Sequence, residues 1–235
     1  MNLKARTLIA LSMLAATPAA FAQYTMTLTG VGDGFVSNGV YVSPYVGTIT
    51  QGSTPVYSGY VICDDFNTES YLNTPWTATQ SSTGGVLNGA EKFGAVSLMF
   101  GGTQYDFTAQ QAYNAASWLA TQLVQPGNVT DPTTQVNDGF AIWNIFDNNN
   151  ASSSAAVLQT EFTALTGHDN TVSGNVTVYT PAADTRLNPQ GVNQSQEFLV
   201  VNPTAAPEID PASAAGGLSL LLGGLMVLRG RRRHG

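Results

Sequence analysis

Basic residues, histidine and cysteine are what this chain has least of, and each shortage closes off a class of function. Of 235 residues, eight are Lys or Arg, two are His and one is Cys. Lys4 and Arg6 lie near the start, and Arg229, Arg231, Arg232 and Arg233 at the end. The long stretch between them holds only Lys92 and Arg186 against thirteen acids. A surface with that balance repels phosphate backbones, which excludes DNA or RNA as a partner. One cysteine, Cys63, cannot close an internal disulfide, so stability must come from the core. His168 and His234 are too few and too far apart to make a metal site. Neither a G-x-S-x-G elbow nor a glycine-rich phosphate loop after a strand is present. No catalytic residue is therefore assigned, and the chain is read as a non-enzyme.

What is there begins with the two ends. Lys4 and Arg6 precede an apolar run from Leu8 to Ala16, followed by Ala20-Phe21-Ala22. That is the order of a secretory signal peptide, with small residues Ala20 and Ala22 at the two recognition positions of the cleavage site. Residues 1–22 are read as the signal, and the mature protein as starting at Gln23. At the other end Ala214 to Leu228 is uncharged and apolar. As a helix started at Pro211 it approaches the ~30 Å of a hydrocarbon core, so a transmembrane helix is expected over about 211–228. The arginines that follow hold the terminus on the cytoplasmic side.

This tail carries a resemblance. Pro207-Glu208, then a short Gly- and Leu-rich apolar segment, then Arg229, Arg231, Arg232 and Arg233 resemble the PEP-CTERM sorting signal of Gram-negative bacteria, with Ile209 where the family has a second proline. The resemblance implies handling by an exosortase-like membrane transpeptidase. It also implies delivery, by way of an inner-membrane intermediate, to the cell surface or an exopolysaccharide matrix. A plain single-span tail anchor is the alternative. Under either reading residues 207–235 are the sorting or anchoring region and 202–206 a linker.

The remaining body, residues 23–201, is long enough for one domain. Its polar positions are mostly Thr, Ser, Asn, Gln and Gly, and charged residues are only 10% of the chain, which suits an extracellular β-rich surface. From Tyr24 to Phe66 apolar and polar residues alternate between Gly, Asn, Ser and Pro breakers, as strands and hairpins do. Helical spacing follows in "AEKFGAVSLMF" and in "TAQQAYNAASWLATQLV", where Asp106 or Thr108 supplies the cap. "TTQVNDGFAIWNIFD" follows Asp131-Pro132, and "SSSAAVLQTEFTAL" is closed by Gly167. Strands return in "NTVSGNVTVYTP" and "SQEFLVVN". The expected fold class is α+β, with N- and C-terminal strands forming a sheet or barrel around a central segment of three to four helices, plus the signal peptide and the C-terminal membrane helix.

Within this body "VICDDFN" is the strongest cluster. Asp64, Asp65, Asn67 and Glu69 offer oxygen ligands of the kind calcium takes, without the glycine or the spacing of an EF-hand loop. The same acids could act as a general acid and base. The structural reading makes Cys63 an inward-facing small hydrophobe and the acids turn caps. Trp118 and Trp143 fall on apolar helix faces, whereas Trp76, in "NTPWTA", is freer to stack on a sugar. A second resemblance rests on Cys63, on the helix bearing Trp118 and on Ala141-Ile142-Trp143, which are similar to the thioester domains of Gram-positive surface adhesins. Where that family joins the cysteine to a glutamine, this chain has Gly139, with Asp138 in place of the motif's Thr, so Gln135 would have to substitute. The functional expectation is an exported surface or matrix protein with a structural or adhesive role. The alternatives are a polysaccharide-binding or polysaccharide-processing protein and a thioester-type adhesin.

Overall fold

Alternation along the first strand sets the geometry of the whole. A computed structural model describes residues 23–33, 35–147, 151–171, 175–182 and 195–201. In β1 (Tyr24–Gly30), Tyr24, Met26 and Leu28 are buried while the intervening threonines face outward. After the short strands β2 (Val36–Ser37) and β3 (Val40–Tyr41), β4 (Tyr45–Gln51) repeats the pattern with Tyr45, Gly47 and Ile49 inward. Next come β5 (Thr54–Cys63) and β6 (Trp76–Ser82). Near the end of the domain, β9 (Val176–Pro181) and β10 (Phe198–Val201) insert between β6 and β5. The ring β1-β4-β5-β10-β9-β6 closes back on β1 through antiparallel pairs, so the barrel has no free edge. Edge-to-face rings fill it: Tyr24 meets Tyr179 at 5.5 Å and Tyr45 meets Phe198 at 6.1 Å. Each such fully buried side chain is worth about 1.5–3 kcal/mol.

Between β6 and β9 the chain forms β7 (Val96–Phe100) and β8 (Thr103–Phe107), a separate ribbon, and then three helices: α1 (Ala109–Leu123), α2 (Pro132–Asp147) and α3 (Ala155–Gly167). Thr108 caps α1 in a reciprocal box with Gln111. Asp131 accepts from the backbone N–H and the hydroxyl of Thr134 at the head of α2. Ser154 accepts from Val157 N at the head of α3. The helices pack on one another, with α1 against β10 and α2 against β5. Strand β10 is thus covered by α1 as well as by the barrel interior, and all four of its residues are buried.

Two expectations are corrected. "AEKFGAVSLMF", expected as a helix, contains β7, because Gly101 and Gly102 at φ 59° and 81° make the two-residue turn that pairs Val96–Phe100 with Thr103–Phe107. The expected fold class of three to four helices with a sheet or barrel and a membrane helix gives way, among the described residues, to a six-stranded closed barrel, two detached ribbons and three helices. Among the described residues no helix is long and apolar enough to cross a membrane. The segment expected to do so, 211–228, the signal residues Ala20 and Ala22, and the sorting residues Pro207, Glu208, Arg229, Arg231, Arg232 and Arg233 lie outside the described residues.

Candidate functional site

Polar groups converge where β5 leaves the barrel. Cys63 is fully buried and free; its N–H donates to Ser43 Oγ at 3.1 Å and its Sγ–H to the Asp65 carbonyl at 3.2 Å. The chain then turns inward instead of out to solvent, so that Asp64 and Asp65 are 0% and 1% exposed. Asp64 N–H reaches the Glu197 carbonyl just ahead of β10, which places a third buried acid, Glu197, beside them. A fourth, Asp147 at the end of α2, accepts from Phe66 N–H and from the Asn67 amide. Lys92, the one Lys or Arg among the described residues, places its Nζ on Asp65 Oδ2 and within 3.3 Å of Thr68 Oγ1.

Four acids around one ammonium cannot all be ionised away from water. Glu197 is the best supported, accepting from the Tyr113 and Thr180 hydroxyls and from Lys92 N–H at 2.9 Å. Even so, burial raises its carboxyl above the usual range. Asp64 has no donor of ordinary geometry on either oxygen. Burial first, then the charges of Glu197 and Asp65, push it well above the usual carboxylate range. The neutral form of Asp64 is therefore favoured over its carboxylate. Burial and the nearby acids also raise the Cys63 thiol, and the Trp143 indole N–H, directed toward the sulfur without an ordinary hydrogen bond, only partly offsets this. The thiol form of Cys63 is therefore favoured over the nucleophilic thiolate.

The sequence cluster Cys63-Asp64-Asp65 is thus brought together in the interior, but its neighbours diverge. Asn67 turns to Asp147, and Glu69 takes the Tyr71 hydroxyl at the surface. The four candidate calcium ligands share no common centre, and among the described residues no three His, Cys, Asp or Glu are grouped to hold a metal. Trp76, expected to be the freer tryptophan, is 4% exposed inside the barrel with its ring 5.8 Å from Phe198 and cannot offer a face to a sugar. Trp143 is buried, and Trp118 stacks on His168 at 3.7 Å. At the position where a thioester partner would stand, a side chain on Gly139 would begin 2.7 Å from Val42 Cγ1. Gln135 gives its amide to the Val129 carbonyl. Sequence reasoning missed Glu197, Tyr113, Thr180 and Asp147. Lys92 carried a signal, since one of only two bases among thirteen acids is expected to meet one of them.

No protein-family model matches this chain, and no curated protein matches it by sequence. Among solved structures it is similar to the N-terminal thioester domain of a surface protein from Clostridium perfringens, with 14% identity and a TM-score of 0.42, over 75% of this chain and 97% of that one. It is also similar to the N-terminal domain of the Streptococcus pyogenes pilus tip adhesin Cpa, with 13% identity and a TM-score of 0.38, over 78% and 94%. At these scores neither likeness assigns a fold or an activity.

Proposed function

We propose that this is an exported, non-enzymatic protein with a structural or adhesive role at the cell surface or in the extracellular matrix of a Gram-negative bacterium. The observation that carries the non-enzymatic part is the burial of the groups best suited to chemistry. Cys63, Asp64 and Glu197 are each 0% exposed and Asp65 1%, so no substrate in solution reaches them. Export is supported by the order of Lys4, Arg6, the apolar run and Ala20-Phe21-Ala22. Sorting by an exosortase-like enzyme, which acts on the tail at Pro207-Glu208 ahead of the arginines, is the finer part of the proposal and rests on that resemblance alone.

The polysaccharide reading loses its aromatic candidate with Trp76 inside the barrel. The thioester reading loses its acyl partner at Gly139. An exopolysaccharide matrix stays in the proposal as the place where the protein is held, rather than as a substrate. The test compares the full chain with one ended after Val201, each expressed in a Gram-negative host that makes an exosortase. The full chain is expected in the surface and matrix fraction and the shortened one in the medium. Equal release of both would overturn tail-directed sorting, and retention of both in the cytoplasm would overturn export.

A further inference from the structure

The Lys92–Asp65 pair is built unlike a surface ion pair. Asp65 is buried, and its two oxygens are treated differently: Oδ2 takes both Lys92 Nζ and the Thr68 hydroxyl, while Oδ1 is buried with no hydrogen-bond partner. Both backbones are pinned. The Asp65 carbonyl accepts from the Gln196 amide at 2.8 Å, its N–H faces Cys63 Sγ at 3.4 Å, and Lys92 N–H is tied to Glu197 at 2.9 Å. The lysine side chain is 33% exposed against 1% for Asp65, and the charge of its ammonium is felt by Asp147 as well. An ion pair with one buried, half-satisfied carboxylate among three more acids is a costly arrangement. A neutral link between the same two side chains would remove that cost.

We propose that Lys92 and Asp65 are joined in the mature protein by an intramolecular amide bond that forms spontaneously once the domain has folded. The ammonium first gives a proton to Asp65 Oδ2, which turns the ion pair into a neutral amine and a neutral acid. The amine lone pair then attacks Asp65 Cγ. The Cγ–Oδ2 bond breaks, and Oδ2 departs as water with the acid's own proton and one proton from the nitrogen. Oδ1 stays as the amide carbonyl, and no oxidant, reductant or cofactor is consumed. Holding the two groups in contact supplies the effective concentration that such a condensation lacks in water. The Thr68 hydroxyl, which touches Asp65 Oδ2 and lies 3.3 Å from Lys92 Nζ, is the group placed to relay the proton from nitrogen to the departing oxygen. In a chain whose lone cysteine cannot form an internal disulfide, this bond would tie the end of β5 to the segment before β7.

Mass spectrometry of the full chain, denatured and digested with pepsin, tests this. The expected species is one branched peptide that contains both Asp65 and Lys92, lighter than its two parts by one water, with fragment ions that place the link at those side chains. Lys92→Arg is expected to abolish it, and Thr68→Val to lower the linked fraction at least about tenfold. Separate Asp65 and Lys92 peptides at their unmodified masses from the wild-type chain would overturn the bond. So would water loss confined to the Asp65 peptide and retained in Lys92→Arg, which marks a succinimide. Linking of Thr68→Val to the wild-type extent would overturn the relay.

Discussion

Gly139 and Tyr113 show how single positions are fixed by what lies against them. At 139 a Cβ would stand 2.7 Å from Val42 Cγ1, where α2 passes the segment that leads into β4. Gly139→Ala is expected to destabilise the domain by about 1–3 kcal/mol through overpacking, read as a lower urea midpoint. An unchanged midpoint would mean that α2 and Val42 separate freely. Tyr113 donates to Glu197 and accepts from Phe93 N–H at 3.2 Å. Tyr113→Phe leaves the buried Glu197 carboxyl short of a donor and the part-buried Phe93 N–H without its acceptor, at an expected cost of about 1–3 kcal/mol. The same loss should appear in thermal and chemical unfolding.

Capping decides the helices at the next scale. Thr108→Ala removes the side-chain half of the α1 box, in which Thr108 Oγ1 accepts from Gln111 N–H, and is expected to cost about 1 kcal/mol, whereas Thr108→Ser should be close to neutral. The three helices were legible because each has a local start signal: Thr108 with Gln111, Asp131-Pro132 and Ser154. The β7 segment was misread because Phe93, Val96 and Phe100 satisfy helical spacing, while Val96, Leu98 and Phe100 satisfy alternation equally well. The Gly101-Gly102 turn resolves that ambiguity, and so does pairing with β8. Period-two patterning announced the strands of the barrel, but not that β10 slots between β5 and β9 or that β6 closes on β1, since those pairings join residues far apart in the chain. The site was half legible for the same reason. "VICDDFN" stands out locally, whereas Glu197 in "SQEFLVVN" reads as an ordinary strand-edge acid until folding sets it against Asp64.

Across the whole molecule, buried acids set a pH dependence of definite sign. Asp138 on α2 is pushed up to about 6 by burial. Glu161 on α3 is pushed up to about 7 by burial, partly offset by Asn144. Asp64 and Glu197 shift in the same direction. Because the folded state holds these protons more tightly than the unfolded chain, the stability they contribute is fully present below about pH 4. It is lost as pH rises through about 6 for Asp138 and about 7 for Glu161. Tm is therefore expected to be higher at about pH 5 than at about pH 8, and Glu161→Gln should flatten the alkaline part of that fall. A Tm that rises steadily over the same interval would contradict the assignment of neutral buried acids.

Export is the claim on which the functional account turns, and the terminal peptides of the protein recovered from the outside of intact cells test it most directly. The account predicts a surface form that begins at Gln23 and lacks the arginines at 229 and 231–233. A protein found only inside the cell, with Met1 to Ala22 still attached and all four arginines in place, would contradict it.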